Sequence, residues 1–318
     1  MSGQPPTVAV AHYCEGAGHA TRMLAVAEEL EAAGYATVLA GGGPGTKFVE
    51  ANGRSEYEPP VVDFIGDVQD GGALDVLRNS GPAVYDRVQR YREWFDAEDP
   101  ALIVADDISA AIAAAIDGRQ YVYVTHDPSG FYTGVVERAG AWVRNRIARR
   151  GAETFLMPKV WSDAPTIPGA EEIPPIAPSG DEEKKDVDVL VVPSEFSVDL
   201  EELEAALAAR GREVTLVGGE DWETQASLQP YIAGASLVIC SGYSTVMEAA
   251  VAGTPCIVLP ETSEQRGVAD ALAGVEGFYT AASIPEIVAL LDDIDAPEPR
   301  ANGAKRVAEI AAEYLPPV

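Results

Sequence analysis

A histidine placed at the first turn of a helix by a glycine loop can take a proton from an attacking hydroxyl near neutral pH. The sequence supplies one at His19, in the run Tyr13-Cys14-Glu15-Gly16-Ala17-Gly18-His19-Ala20-Thr21-Arg22. The apolar run Thr7 to His12 before it reads as a buried strand. The loop then falls at the carboxyl end of that strand, where open parallel sheets bind their ligands. Gly16 and Gly18 let the backbone approach a bound group with no Cβ in the way. A plain strand-to-helix turn, with a histidine that only caps it or binds water, accounts for the same residues without chemistry.

A second run, Leu237-Val238-Ile239-Cys240-Ser241-Gly242-Tyr243-Ser244-Thr245-Val246-Met247-Glu248-Ala249-Ala250, again brings a strand to a helix start. Gly253-Thr254-Pro255 and a strand ending at Pro260 follow. The N–H groups of Gly242 to Thr245, the turn hydroxyls and the helix dipole make an anion site suited to a diphosphate. Glu248, about one helical turn inside, would face the adjoining ribose and accept from its vicinal hydroxyls. The alternative is a solvated helix glutamate, but Met247, Ala249 and Ala250 around it are apolar, and a buried carboxylate needs partners. A third stretch, Pro260-Glu261-Thr262-Ser263-Glu264-Gln265-Arg266-Gly267, lies beyond the next strand. There Glu264 and Gln265 read sugar hydroxyls from a helix start, or serve as ordinary helix-start residues behind Ser263 as N-cap. Thr125-His126-Asp127-Pro128 also follows a strand, so His126 either seats an acceptor phosphate or caps the next turn.

Parallel strands must bring these groups to one edge. β-branched runs alternating with helical patterns are the mark of such strands joined by crossover helices. Strands are predicted at Thr7–His12, Ala36–Ala40, Leu102–Ala105, Tyr121–Thr125, Val187–Val192, Glu213–Val217, Leu237–Ile239 and Cys256–Leu259. Helices are predicted at Ala20–Ala33, Ala73–Trp94, Ile108–Ile116, Leu200–Arg210, Thr245–Ala252 and Gln265–Ala273. Prolines and a charge run break the pattern between Pro158 and Asp186. The expected division is a domain over 1–157, a Pro-rich and charged linker over 158–186 and a second domain over 187–318. The fold class is α/β, with two doubly wound Rossmann-like domains facing across a cleft.

The 318 residues carry 51 acidic against 22 basic side chains, a net charge of -29 with only five lysines. That field repels phosphate backbones, which argues against nucleic acid as a partner. It is also the surface expected of a protein from a high-salt cytoplasm, where ions screen self-repulsion. The start Met1 to Thr7 is polar and proline-bearing, so a cytoplasmic location is expected. Cys14, Cys240 and Cys256 lack paired spacing and read as reduced thiols, with Cys14 near the first loop. Between Arg138 and Arg150 five arginines interleave with Trp142 and aliphatic residues. That pattern fits either an interfacial helix, giving a peripheral membrane contact through 131–150, or a crossover helix packed on the sheet.

Together the three stretches resemble the GT-B glycosyltransferases of family 28, which include the bacterial enzyme that adds N-acetylglucosamine in lipid II synthesis. Gly16-Ala17-Gly18-His19 is similar to that family's acceptor-side loop, and Ser241 to Glu248 with Gly253-Thr254-Pro255 to its donor-side helix and following strand. Glu264-Gln265 is similar to its sugar-reading segment. The form Gly-x-Gly-His-x-x-Arg, which includes Arg22, is closer to a group of uncharacterised archaeal GT-B proteins and to nucleotide-sugar hydrolases of pseudaminic acid synthesis. The family's glycine-rich loop after Val192 is replaced by Pro193-Ser194-Glu195-Phe196-Ser197, leaving Ser194 or backbone to help hold phosphate. The resemblance implies a UDP-sugar donor in the C-terminal domain and an acceptor, lipid-linked in the best-known case, in the N-terminal one. It implies no metal or other cofactor. Hydrolysis of the donor, and epimerisation or simple binding of a nucleotide-sugar, remain alternatives to transfer.

Overall fold

Along the first strand Val8 and Val10 face one way and Ala9 and Ala11 the other, and all four are fully buried. Such a strand is covered on both faces, as helices cover the two sides of a parallel sheet. A computed structural model describes residues 5–62, 73–180, 183–193, 198–219 and 222–317, with the side chains of 73–80 outside that description. Ser194 lies outside the described residues.

The first sheet holds β1 (Thr7–Ala11), β2 (Ala36–Ala40), β3 (Glu56–Tyr57), β4 (Leu102–Ala105), β5 (Tyr121–Val124), β6 (Thr154–Pro158) and β7 (Glu171–Ile173). Their order is β3-β2-β1-β4-β5-β6-β7, and every pairing is parallel. Its helices are α1 (Ala17–Ala32), α2 (Thr46–Ala51), α3 (Ala73–Glu98), α4 (Ile108–Asp117) and α5 (Val135–Ala148). The second sheet holds β8 (Val187–Val192), β9 (Val214–Leu216), β10 (Ala235–Cys240), β11 (Cys256–Val258) and β12 (Phe278–Thr280), in the parallel order β12-β11-β10-β8-β9. The same stretch of chain forms α6 (Leu200–Ala208), α7 (Gln229–Gly234), α8 (Tyr243–Ala252), α9 (Ser263–Ala271), α10 (Ile284–Leu290) and α11 (Gly303–Ala312).

α1 buries Met23, Leu24, Ala27 and Leu30 on the sheet, the stripe its spacing predicts. Each of the larger of these side chains contributes about 2 kcal/mol on burial. One apolar cluster covers the first sheet's Ala9, Ile103 and Tyr123 and continues into Val238 of the second sheet, Val246 of α8 and Val268 of α9, so the two halves share a core.

Two expectations about organisation are corrected. Residues 158–186 are more than a linker, because Glu171–Ile173 within them pairs with β6 as the outermost strand of the first sheet. An edge position tolerates the prolines that follow it, since one side of the strand needs no ladder bonds. Residues 187–318 also do not stay with the second sheet. α11 returns to pack Val307, Ala308 and Ala311 into the core beneath β1 and α1. Asn302 caps that helix through Ala304 N–H (3.0 Å) and ties it to Ala177 by donating to its carbonyl (2.7 Å).

Candidate active site

In the first sheet the strand order turns back between β1 and β4, and in the second between β8 and β10. At such a point the loops beyond the strands leave in opposite directions and open a crevice. The loop after β1 carries His19 and the residue after β4 is Asp106, so the two meet across the first crevice. Gly16 N-caps α1 at φ 152°, a backbone state that side chains rarely adopt, and this sets His19 in the helix's first turn.

His19 Nδ1 lies 2.8 Å from Asp106 Oδ2. The same carboxylate accepts the Tyr13 N–H on Oδ1 at 2.7 Å and Arg22 Nη2 on Oδ2 at 2.5 Å. Arg22 Nη2 also stands 2.9 Å from His19 Nδ1, but arginine can only donate. The proton on Nδ1 is therefore assigned to the bond with Asp106, which leaves the Nε2 lone pair as the base. Arg22 Nη1 donates to His126 Nδ1 at 2.9 Å, so neutral His126 carries its proton on Nε2, which donates to Glu264 Oε1 at 3.0 Å. This last bond crosses from the first domain to α9 of the second.

Burial pushes the Asp106 carboxyl up, but the charges and hydrogen bonds of His19 and Arg22 outweigh it and hold the group below the usual carboxylate range. For His126 burial dominates. Together with Arg22 and His19 it lowers the pKa, against the pull of Glu264, and keeps the ring neutral. Glu264 is lowered against partial desolvation, because it accepts from His126 and faces the Arg144 charge.

On the second domain Gly242 N-caps α8, and a Cβ built on it would meet nothing within 4 Å. The first N–H groups of the helix have no carbonyl ahead of them and so remain free donors. Tyr243 stacks on His126 with ring centroids 4.8 Å apart and donates to the Pro158 carbonyl at 3.2 Å. Ser244 abuts Gly18 so closely that a Cβ there would stand 2.2 Å from its Oγ. The starts of α1 and α8 thus meet face to face. Ser241, Thr245 and Glu248 are buried on the same helix and the turn before it, with Ser241 Oγ and Glu248 Oε2 left without a hydrogen-bond partner. Burial pushes the Glu248 carboxyl up to about 8.

Three sequence expectations change. Thr262, not Ser263, caps α9, and Gln265 completes a capping box by accepting from the N–H groups of Glu261 (2.8 Å) and Thr262 (3.0 Å). The Gln265 side-chain oxygen is therefore engaged at the helix start rather than free for a sugar, while Ser263 donates to Glu137 at 2.6 Å. Cys14 is buried with its thiol against the Val62 carbonyl. His126 sits at the centre of the cluster rather than on a turn. Asp106 is the residue that sequence reasoning missed. It follows a predicted strand directly, the same signal that singled out His19. Its neighbour Asp107 caps α4 through Ser109 N–H (2.7 Å) and pairs with buried Arg87 (2.6 Å), a structural role that masks the pair.

Neither a protein-family model nor a curated protein matches the chain. Solved structures do. SsfS6, a glycosyltransferase of Streptomyces sp. SF2575, aligns over 98% of this chain and 97% of its own at a TM-score of 0.66 and 15% identity. The spinosyn rhamnosyltransferase SpnG aligns over 97% and 95% at 0.61 and 16%, and SnogD from Streptomyces nogalater over 98% and 95% at 0.58 and 19%. SsfS6 and SpnG have also been solved with thymidine diphosphate. The fold is that of GT-B glycosyltransferases, two parallel-sheet α/β domains facing across a cleft.

Proposed function

We propose that this chain is a glycosyltransferase that moves a sugar from a nucleoside-diphosphate donor to an acceptor hydroxyl, with His19 as general base. The observation that carries the reading is the His19–Asp106 pair, at 2.8 Å, beside the free helix start of α8. His19 Nε2 takes the acceptor proton as its oxygen bonds to sugar C1. The bond from C1 to the diphosphate oxygen breaks, and the electron pair leaves with the diphosphate. Asp106 holds the imidazole in the required tautomer and stabilises the imidazolium that forms. The N–H groups of α8, with Ser244 and Thr245, offset charge on the leaving diphosphate. Glu248 accepts from the ribose hydroxyls, and Glu264 reads the sugar.

The glycine-histidine loop supports family 28 as the branch, and UDP as the nucleotide. The fold neighbours crystallised with thymidine diphosphate make that nucleotide the competing choice. The tight approach of Gly18 to Ser244 favours a second reading, hydrolysis, in which the same dyad activates water in a narrow cleft.

The test is nucleotide release from a panel of UDP- and TDP-sugars, with and without acceptor alcohols, followed by product analysis. His19→Ala and Asp106→Asn are expected to lower turnover by about 10²- to 10⁴-fold while nucleotide binding is kept. Sugar on the acceptor identifies transfer and free sugar identifies hydrolysis. Undiminished turnover in both variants would remove His19 from the mechanism.

A further inference from the structure

The outer face of α5 is out of keeping with the rest of the surface. Val135, Val136, Trp142, Val143 and Ile147 are between 44% and 83% exposed, and they are five of the eight large apolar side chains exposed among the described residues. Their spacing puts them on one stripe of the helix, opposite Ala141, Asn145 and Ala148, which are buried on the protein side. Packing on the sheet therefore accounts for the inner face and leaves the outer one uncovered. Arg138, Arg146, Arg149 and Arg150 are exposed on and around the stripe. The Arg146 guanidinium lies over the Trp142 ring, 5.6 Å from its centre. From Val135 to Arg150 there are five arginines and one glutamate, in a chain of net charge -29.

We infer that this face docks on a membrane surface rich in anionic headgroups. Aliphatic and Trp side chains with arginine among them match the boundary between acyl chains and negative headgroups. A second copy of the chain fits poorly, because a two-fold contact through the same helix would set arginine against arginine. The negative remainder of the molecule repels such a surface, but screening confines that repulsion to about 8 Å at about 0.15 M salt and to less in stronger salt, and within that range the arginine face is nearest. Among the described residues no helix is long and apolar enough to cross a membrane.

The face adjoins the cleft. Glu137, in the first turn of α5, accepts from Ser263 at 2.6 Å, and Ser263 is the neighbour of Glu264. The turn before α5 meets α9 at Phe131, whose backbone and Cβ stand 2.4 to 2.6 Å from where a Cβ on Gly267 would be. A docked molecule thus holds the cleft's rim near the lipid, where an acceptor carried by the membrane would arrive.

Vesicle flotation tests this without donor or acceptor, so its failure leaves the transferase reading intact. The wild type is expected to float with phosphatidylglycerol–phosphatidylcholine vesicles at about 0.1 M salt, and to float about tenfold less with phosphatidylcholine alone or at about 1 M salt. Trp142→Ser with Val143→Ser and Ile147→Ser should lower flotation about tenfold, as should Arg146→Gln with Arg149→Gln and Arg150→Gln. All these side chains are exposed, and circular dichroism checks that the variants fold. No flotation on anionic vesicles, or equal flotation of the variants, overturns the inference. So does a dimer in sedimentation velocity that the apolar substitutions dissolve, since the face would then be a protein interface.

Discussion

Glu248 shows how one buried atom carries a prediction. Its Oε2 has no partner and burial raises its carboxyl to about 8, so the free protein holds it protonated at neutral pH. Because the native state binds this proton more tightly than the unfolded chain, stability falls as pH rises from the ordinary glutamate range towards 8. Ribose hydroxyls that donate to the carboxylate favour its ionised form. Nucleotide binding below pH 8 should therefore release a proton and tighten as pH rises through that window. Calorimetry in two buffers of different ionisation enthalpy reads this release directly. Glu248→Gln should abolish the release, weaken binding about tenfold and remove the loss of stability towards pH 8. Binding without proton release would take Glu248 out of the nucleotide site. The sequence made this residue legible through its apolar neighbours, and made His19 legible through its place after a strand. It hid Asp106 beside a second aspartate with a structural task, and it hid the His126–Glu264 contact because those residues are 138 positions apart.

At the scale of elements, the site is the meeting of two helix starts. Gly18 on α1 and Ser244 on α8 touch so closely that a methyl on Gly18 would overlap Ser244 Oγ at 2.2 Å and Cβ at 2.7 Å. Neither backbone can yield without parting the domains or displacing His19, which follows Gly18 directly. Gly18→Ala should therefore lower turnover at least about tenfold through misplacement of His19, the proposed base. Ser244→Gly in the same chain should bring turnover back to that of Ser244→Gly alone, which lacks only the hydroxyl proposed to face the diphosphate, since the clash then meets empty space. Loss in the single variant without recovery in the double would mean that Gly18 acts through α1 alone. Strands β1, β2, β4, β5 and β8 to β11 were legible to within two residues and six of the helices to within four, because buried β-branched runs and helical stripes are local patterns. β7 was not, because three residues at a sheet edge beside prolines carry no alternation. Nor was the return of α11 to the first sheet, because its apolar stripe does not specify which sheet it covers.

Charge is a property of the whole molecule. Exposed ion pairs such as Arg90–Glu93 and Arg210–Asp292 are weakened by salt, whereas the general repulsion behind a net charge of -29 is relieved by it. Buried pairs, Arg22–Asp106 and Arg87–Asp107, lie beyond the reach of counterions and change little either way. The sign of the salt effect then reports which of the first two dominates. Exposed pairs contribute little each, and acidic residues outnumber basic ones 51 to 22, so repulsion should win. Raising sodium chloride from about 0.01 to about 1 M shortens the screening length roughly from 30 to 3 Å. The melting temperature should rise by about 5 to 10 °C over that range, which corresponds to roughly 3 to 7 kcal/mol for a chain of this size. Chloride is the anion to use, since sulfate strengthens apolar burial whatever the charge. A flat or falling melting temperature would mean that local pairing, rather than a high-salt habitat, accounts for the acidic surface.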